Sequence, residues 1–275
     1  MILVTGASGN VGSALLTELR TLGVPARAAY RDAKRAGPGS VTLDFADPAG
    51  FPAAFEGVEA VFLLAGVSPQ QTALELNVVE AAAEAGVRVV KLSVWRADEG
   101  LSAIARLHRP VEEALIASGL PWTILRPNFY LQNFLRQPSI RTAGVFSTPL
   151  ITAPISFVDT VDIARVAARV LAAGGHEGHI YDITGPEALT YDEAARRFSE
   201  ILDRPVRYVS QPDDEARAAM LSRGMPEFYA DALIEVAQAY RTGGAEKVTP
   251  TVEELTGRPP TSLPEFVRAH REVFG

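Results

Sequence analysis

The chain has 275 residues, 47% of them hydrophobic, enough to bury a sizeable core as one large domain or a domain with a smaller lobe. A net charge of -7 argues against a nucleic-acid footprint, which shows as clustered Lys and Arg. With no cysteine there is no disulfide, no thiol catalysis and no cysteine metal site.

The opening MILV is too short for a leader and runs straight into glycines, so it reads as a strand at the start of the chain. No apolar run reaches the roughly 18 to 20 residues of a membrane helix, and the expectation is a soluble cytoplasmic protein. Ile2 to Val4 is a continuous apolar run, as in a strand buried on both faces. Ser13 to Leu22 carries leucines at helical spacing and ends at Gly23. Strands are expected at 25–30, 41–45, 60–64 and 87–94, with an Ala- and Leu-rich helix over 72–85 closed by Gly86. Pro110 is expected in the first turn of a helix running to Ser118. A sixth strand follows at 122–125, an amphipathic helix at 159–171 and a seventh strand at 180–184.

Strands alternating with helices predict an α/β fold: a doubly wound, Rossmann-type parallel sheet with first strands in the order 3-2-1-4-5. Residues 1–150 form the dinucleotide-binding core, with 155–184 returning to it. From 185 to 275 the texture changes to a helix at 191–202, a short strand at 206–209, a mostly helical 213–240 and a last helix from Leu263. This reads as a smaller C-terminal α/β lobe packed over the sheet's C-terminal edge and carrying the substrate site. Phe134, Phe146 and Phe157 are its expected core.

VTGASGNVG sits between the first strand and the first helix. Gly6 permits a tight turn, Gly9 lets a pyrophosphate approach the backbone, and Gly12 lets helix and strand pack closely. The helix start, with Asn10 and Val11, offers free N–H groups and a positive dipole end to phosphate. Thr5 and Ser8 add hydroxyl donors. After the second strand comes AAYRDAKR, with Arg31 where an NAD site carries Asp or Glu and Lys34 close behind. A guanidinium suits the 2′-phosphate of NADPH, so NADPH is favoured over NADH; the adjacent Asp32 opposes this. Asp44 and Phe45 read either as an adenine contact or as a turn. Leu64, Ala65 and Gly66 are small enough at the end of the fourth strand to pass beside the adenosine ribose.

TGASGNVG, the Asp44 turn, the LLAG strand end and LNVVEAAAEAGV resemble the atypical short-chain dehydrogenase/reductases. SGLPWTILRPNFYLQNF, PISFVDTVDIARVAARVL, YDITGPEALTYDEAARRFSEILDRPVRYV and EELTGRPPTSLPEFVRAH are similar to the NmrA-like branch, which includes NAD(P)H-dependent quinone oxidoreductases and redox-sensing regulators. The resemblance spans nearly the whole chain. It places Ser93 at the catalytic Ser position. Typical members carry a Tyr acid and a Lys on the helix after strand five. Here that segment is AIARLHRPVEEAL, and with Glu112 as anchor His108 falls at the Lys position and Ile104 at the Tyr position. His108 is expected either to bind the ribose or nicotinamide amide, or to donate a proton near neutral pH; by residue type alone it reads as a surface histidine beside Arg109. The resemblance also puts the loop with Asn128 at the nicotinamide end of the cleft. Phe129 and Tyr130 read either as stacking on a flat substrate, with Tyr130 alternatively the acid, or as core aromatic packing.

The expected function is an NADPH-dependent reductase passing hydride directly to a quinone-like or other conjugated acceptor, with Ser93, His108 and Tyr130 as the catalytic set. The alternatives are a non-enzymatic NAD(P) sensor and a biosynthetic imine or enone reductase. A small-molecule acceptor is the expected partner, with no nucleic acid, no membrane and a homodimer left open. No metal is expected: His176, Glu177 and His179 recruit no further ligand. Asp159 and Asp162 are read as a helix start, and His270 as a solvated helix face.

Overall fold

The computed structural model describes all residues, 1–275. In chain order the elements are β1 (Ile2–Val4), α1 (Asn10–Thr21), β2 (Ala26–Tyr30), β3 (Ser40–Thr42), α2 (Phe51–Phe55), β4 (Ala60–Leu63), α3 (Gln71–Ala85), β5 (Arg88–Leu92), α4 (Ala103–Ala117) and β6 (Trp122–Pro127). They continue with α5 (Ser139–Ala143), β7 (Val145–Pro149), α6 (Thr160–Ala172), β8 (His179–Ile183), α7 (Tyr191–Leu202), β9 (Arg207–Gln211), α8 (Asp213–Ser222), α9 (Glu227–Ala239), α10 (Thr251–Thr256), α11 (Leu263–Ala269) and α12 (Arg271–Phe274). The chain forms two compact units. One comprises residues 1–100, 105–126 and 160–182, the other 101–104, 127–159 and 183–275.

The first unit holds a seven-stranded sheet in the order β3-β2-β1-β4-β5-β6-β8, parallel from β3 through β6. This is the doubly wound Rossmann arrangement, with the strand order reversing between β1 and β4. β1 and β4 are buried at every position, as helices on both faces require. Leu15 and Leu19 bury one face of α1, which packs along α6. Arg88 closes the end of α6 by donating to the carbonyls of Val170 (3.1 Å), Leu171 (2.7 Å) and Ala173 (3.1 Å).

The second unit pairs β7 and β9 in parallel and packs α5 and α7–α12 around an aromatic core. Phe134 lies 5.2–5.4 Å, ring to ring, from Phe146, Phe157 and Phe198. Capping boxes start α7 (Thr190 with Glu193) and α11 (Ser262 with Glu265).

Several local expectations are corrected. Pro110 lies in the middle of α4 rather than its first turn; the helix begins a full two turns earlier, and its buried face continues through the proline. β3 ends at Thr42 because the Asp44 carboxylate accepts from the Ala46 amide (3.0 Å) and turns the chain. β7 and α10 carry no clear period and were not expected. His270 is part-buried, its ring 4.4 Å from that of Phe266 and its Nδ1 2.9 Å from the Phe266 carbonyl, rather than on a solvated face. Asp159 accepts from Gln132 (2.8 Å) just before α6, and Asp162 pairs with Arg165 (2.8 Å) in its first turn.

Candidate functional site

The loop closes tightly around its first and third glycines, which leave no room for a side chain. Gly6 has φ +59°, and a Cβ there would stand 2.9 Å from the Leu64 side chain. The Gly9 amide donates to the Gly6 carbonyl at 2.9 Å, and a Cβ on Gly9 would sit 3.3 Å from the same oxygen. A Cβ on Gly12 would collide with that carbonyl, so the third glycine closes the helix onto the loop's own first glycine. Gly9 caps α1 without any side chain, leaving the first-turn N–H groups uncovered, and Ser8 and Asn10 are exposed beside them. The donor set of a phosphate cradle is therefore present.

Thr5 departs from its expected role. It is buried, and its hydroxyl donates to the carbonyls of Phe62 (2.8 Å) and Leu64 (3.1 Å) and accepts from the Leu64 amide (2.8 Å). It pins β1 to the end of β4 and has no hydrogen left for phosphate. Past β2, Arg31 and Lys34 are exposed, while Asp32 accepts from the Lys34 amide (2.9 Å) and caps the turn over 33–35. Asp44 is exposed and Phe45 part-buried, the Phe45 carbonyl accepting from Asn77 (2.8 Å). Ala65 donates its amide to Glu75 Oε1 (3.0 Å), and Gly66 is exposed.

The end of β5 carries a polar cluster that sequence reading missed. Lys91 is fully buried, with Nζ 2.9 Å from Glu75 Oε1, 3.0 Å from His108 Nδ1, and against the Leu92 carbonyl. On its other side, His108 Nε2 lies 3.0 Å from the Gln71 side-chain amide. The Thr72 hydroxyl donates to the Leu107 carbonyl (2.8 Å) and fastens α3 to α4 beside this histidine. His108 is thus buried, not on the surface. Burial first, and the Lys91 cation second, hold its pKa well below 6.5. That corrects the expectation of a histidine donating a proton from its charged form near neutral pH. Burial lowers the lysine from its ordinary value, and Glu75 opposes the shift.

Ser93 Oγ, Gln71 Oε1 and Glu75 Oε2 are buried without a hydrogen-bond partner in the chain. Lys91 and Ser93 are two residues apart, so they project from the same face at the end of the strand. Buried polar groups are nearly always paired, so these atoms are open to a further polar partner. Next along α4, Glu112 takes a forked pair from Arg126 (3.1 and 2.5 Å), which also reaches Asp98 (2.9 Å). The missed signal was a lysine inside the apolar run VVKLSV and a glutamate on the buried face of an Ala-rich helix.

Within the second unit, Asn128 donates to Ser156 Oγ (2.8 Å) and the Ala245 carbonyl (2.9 Å), and its oxygen accepts from the Phe129 amide (2.9 Å). Both its amide hydrogens are engaged there. Phe129 packs edge-on against Phe157 and Tyr240. Tyr130 is part-buried, and burial, then Tyr229, push its phenol above the ordinary value, which makes it a weak proton donor. His176 Nδ1 lies 2.9 Å from the Tyr181 hydroxyl, and His179 stacks on the same ring.

The profile of the NmrA-like family matches residues 1–267. The chain belongs to the NmrA-like family. It is 36% identical to an NAD(P)H azoreductase of Xenophilus azovorans, across 100% of this chain and 99% of the relative. It is 39% identical to a (4-alkanoyl-5-oxo-2,5-dihydrofuran-3-yl)methyl phosphate reductase of Streptomyces griseus, again across 100% and 99%. Among solved structures it resembles the NADPH-dependent quinone oxidoreductase of Escherichia coli complexed with NADPH, with a TM-score of 0.89 and 30% identity over 98% of this chain and 100% of that one. The family fold is therefore the Rossmann fold described above.

Proposed function

We propose that this NmrA-like protein is an NADPH-dependent reductase that passes hydride directly to a quinone-like or other conjugated acceptor. The observation that carries the reading is a glycine-closed phosphate cradle in a unit whose α4 holds a buried His108 at the Lys position and Ile104 at the Tyr position of ordinary ketone reductases. By their names the relatives reduce azo, quinone and unsaturated lactone acceptors. All three spread the incoming electron pair over a conjugated system, so little acid assistance is needed from the protein.

Bound NADPH supplies the hydride. Gly6, Ser8, Gly9, Asn10, Val11 and Gly12 hold its pyrophosphate through backbone N–H groups and the uncapped start of α1. Arg31 and Lys34 would meet the 2′-phosphate, which NADH lacks. Asp44 and Phe45 line the adenine, and Leu64, Ala65 and Gly66 line its ribose. The unpaired Ser93 hydroxyl takes the nicotinamide ribose or amide, and His108 is the uncharged polar centre of that end. Phe129 and Tyr130 serve the acceptor, Tyr130 only as a neutral hydrogen-bond donor. The same reading places the enzyme in the cytoplasm.

The test is isotopic. With NADPH deuterated at its hydride-donating carbon, deuterium is expected on a non-exchanging carbon of an unsaturated lactone acceptor. A primary isotope effect on single turnover is expected with a quinone or azo acceptor, whose O–D or N–D would wash out. Cofactor oxidation without label transfer to the lactone carbon would reject direct hydride transfer.

A further inference from the structure

We infer that Lys91 and Glu75 are positioning residues that set a one-way hydrogen-bond relay, Lys91 to His108 to Gln71, ending in a buried Gln71 amide N–H pair offered to an oxygen of the bound ligand. The ligand end of this relay rests on the site proposed above; its internal direction does not.

The direction follows from what each group can donate. An ammonium has three hydrogens and no lone pair. Lys91 faces three acceptors: Glu75 Oε1, the Leu92 carbonyl and His108 Nδ1. Nδ1 therefore accepts, and the single proton of the neutral imidazole sits on Nε2. Nε2 faces the Gln71 amide at 3.0 Å. Two donors cannot bond each other, so the amide turns its oxygen to Nε2–H, an orientation fixed by the hydrogen-bond network. That pairs Gln71 Oε1, otherwise a buried orphan, and leaves the buried amide NH2 as the donor seeking a partner. Glu75 opposes the pull of burial on the lysine's charge, and the Ala65 amide holds the shared Oε1 in place.

The charged groups around the imidazole agree with this. Lys91 comes from β5 and Glu75 from α3, while from α4 Glu112 faces the lysine and is itself taken up by Arg126. No carboxylate bonds either ring nitrogen to hold a second proton there. A cation at the head of the chain polarises each bond after it, strengthening the last donor without a titrating acid.

The experiment is nitrogen NMR of His108 in the ligand-free protein, repeated with Lys91→Met/Glu75→Met, which removes both charges together. The wild type is expected to show the Nε2–H tautomer and a neutral ring at and above about pH 6.5. The double variant is expected to show mixed tautomers or a returning titration. A wild-type proton on Nδ1, or a charged imidazole in that range, overturns the relay whether or not the variant folds. Gln71→Met tests the ligand end. It should lower kcat/KM about tenfold and remove an amide NH2 resonance that moves when NADPH or acceptor is added. Unchanged kcat/KM with no ligand-dependent amide shift overturns that end. Absent turnover on every acceptor would instead reject the proposed reaction, and the tautomer would still decide the relay.

Discussion

Thr5 and Arg31 separate structural from ligand-directed polar groups in the first unit. Because the Thr5 hydroxyl is consumed by Phe62 and Leu64, Thr5→Val strands the Leu64 amide. It should cost about 1–3 kcal/mol in urea unfolding, while NADPH affinity of the folded protein stays within about twofold, roughly 0.4 kcal/mol. Arg31, exposed after β2, should behave oppositely. Arg31→Ala is expected to weaken NADPH binding about tenfold, ~1.4 kcal/mol, with NADH binding and stability little changed, read by calorimetry. Glycine spacing and the missing Tyr and Lys were legible because each lies within one short segment. The Lys91, Glu75, His108 and Gln71 cluster was not, since its members come from three elements and meet only when α3 and α4 pack on β5. The near-neutral proton donor expected at His108 failed for the same reason: desolvation and a neighbouring cation are tertiary facts.

At the scale of elements, α4 carries the local conflict. Pro110 cannot donate to the Arg106 carbonyl, and its ring crowds that carbonyl. Proline is about 3 kcal/mol worse than alanine in a helix interior, and up to about 1 kcal/mol of that is offset by its stiffening of the unfolded chain. Pro110 is exposed, so Pro110→Ala should stabilise the protein by about 2 kcal/mol, seen as a higher urea midpoint at constant slope. A destabilised variant would mean that the proline itself helps to seat His108. Strand β1 was legible as a continuous apolar run, and the order 3-2-1-4-5 followed from right-handed crossovers. β7 escaped notice because its residues, VFSTP, alternate poorly and pair with β9, about 60 residues on in sequence. Helix starts at Thr190 and Ser262 are stated by their capping boxes.

For the molecule as a whole, stability should depend on pH through His108. Its folded pKa lies well below 6.5, so between those values the unfolded chain binds a proton that the folded chain refuses. The contribution is therefore complete above about pH 6.5 and is lost as pH falls toward the folded value, at up to about 1.4 kcal/mol per pH unit. Carboxylates titrate lower, so the comparison of wild type with His108→Gln from pH 7 to 5.5 isolates it: the variant's unfolding free energy should fall less steeply. Parallel slopes would contradict a buried neutral histidine. No helix of the chain is long and apolar enough to cross a membrane.

The proposed reaction requires one chain both to hold NADPH and to pass its hydride to a conjugated acceptor. Calorimetry with NADPH, followed in the same cell by the loss of NADPH absorbance after adding a quinone and an azo compound, tests it most directly. Saturable binding, tighter for NADPH than for NADH, is expected first, then acceptor-dependent decay. Binding that is followed by no decay with any conjugated acceptor would contradict it.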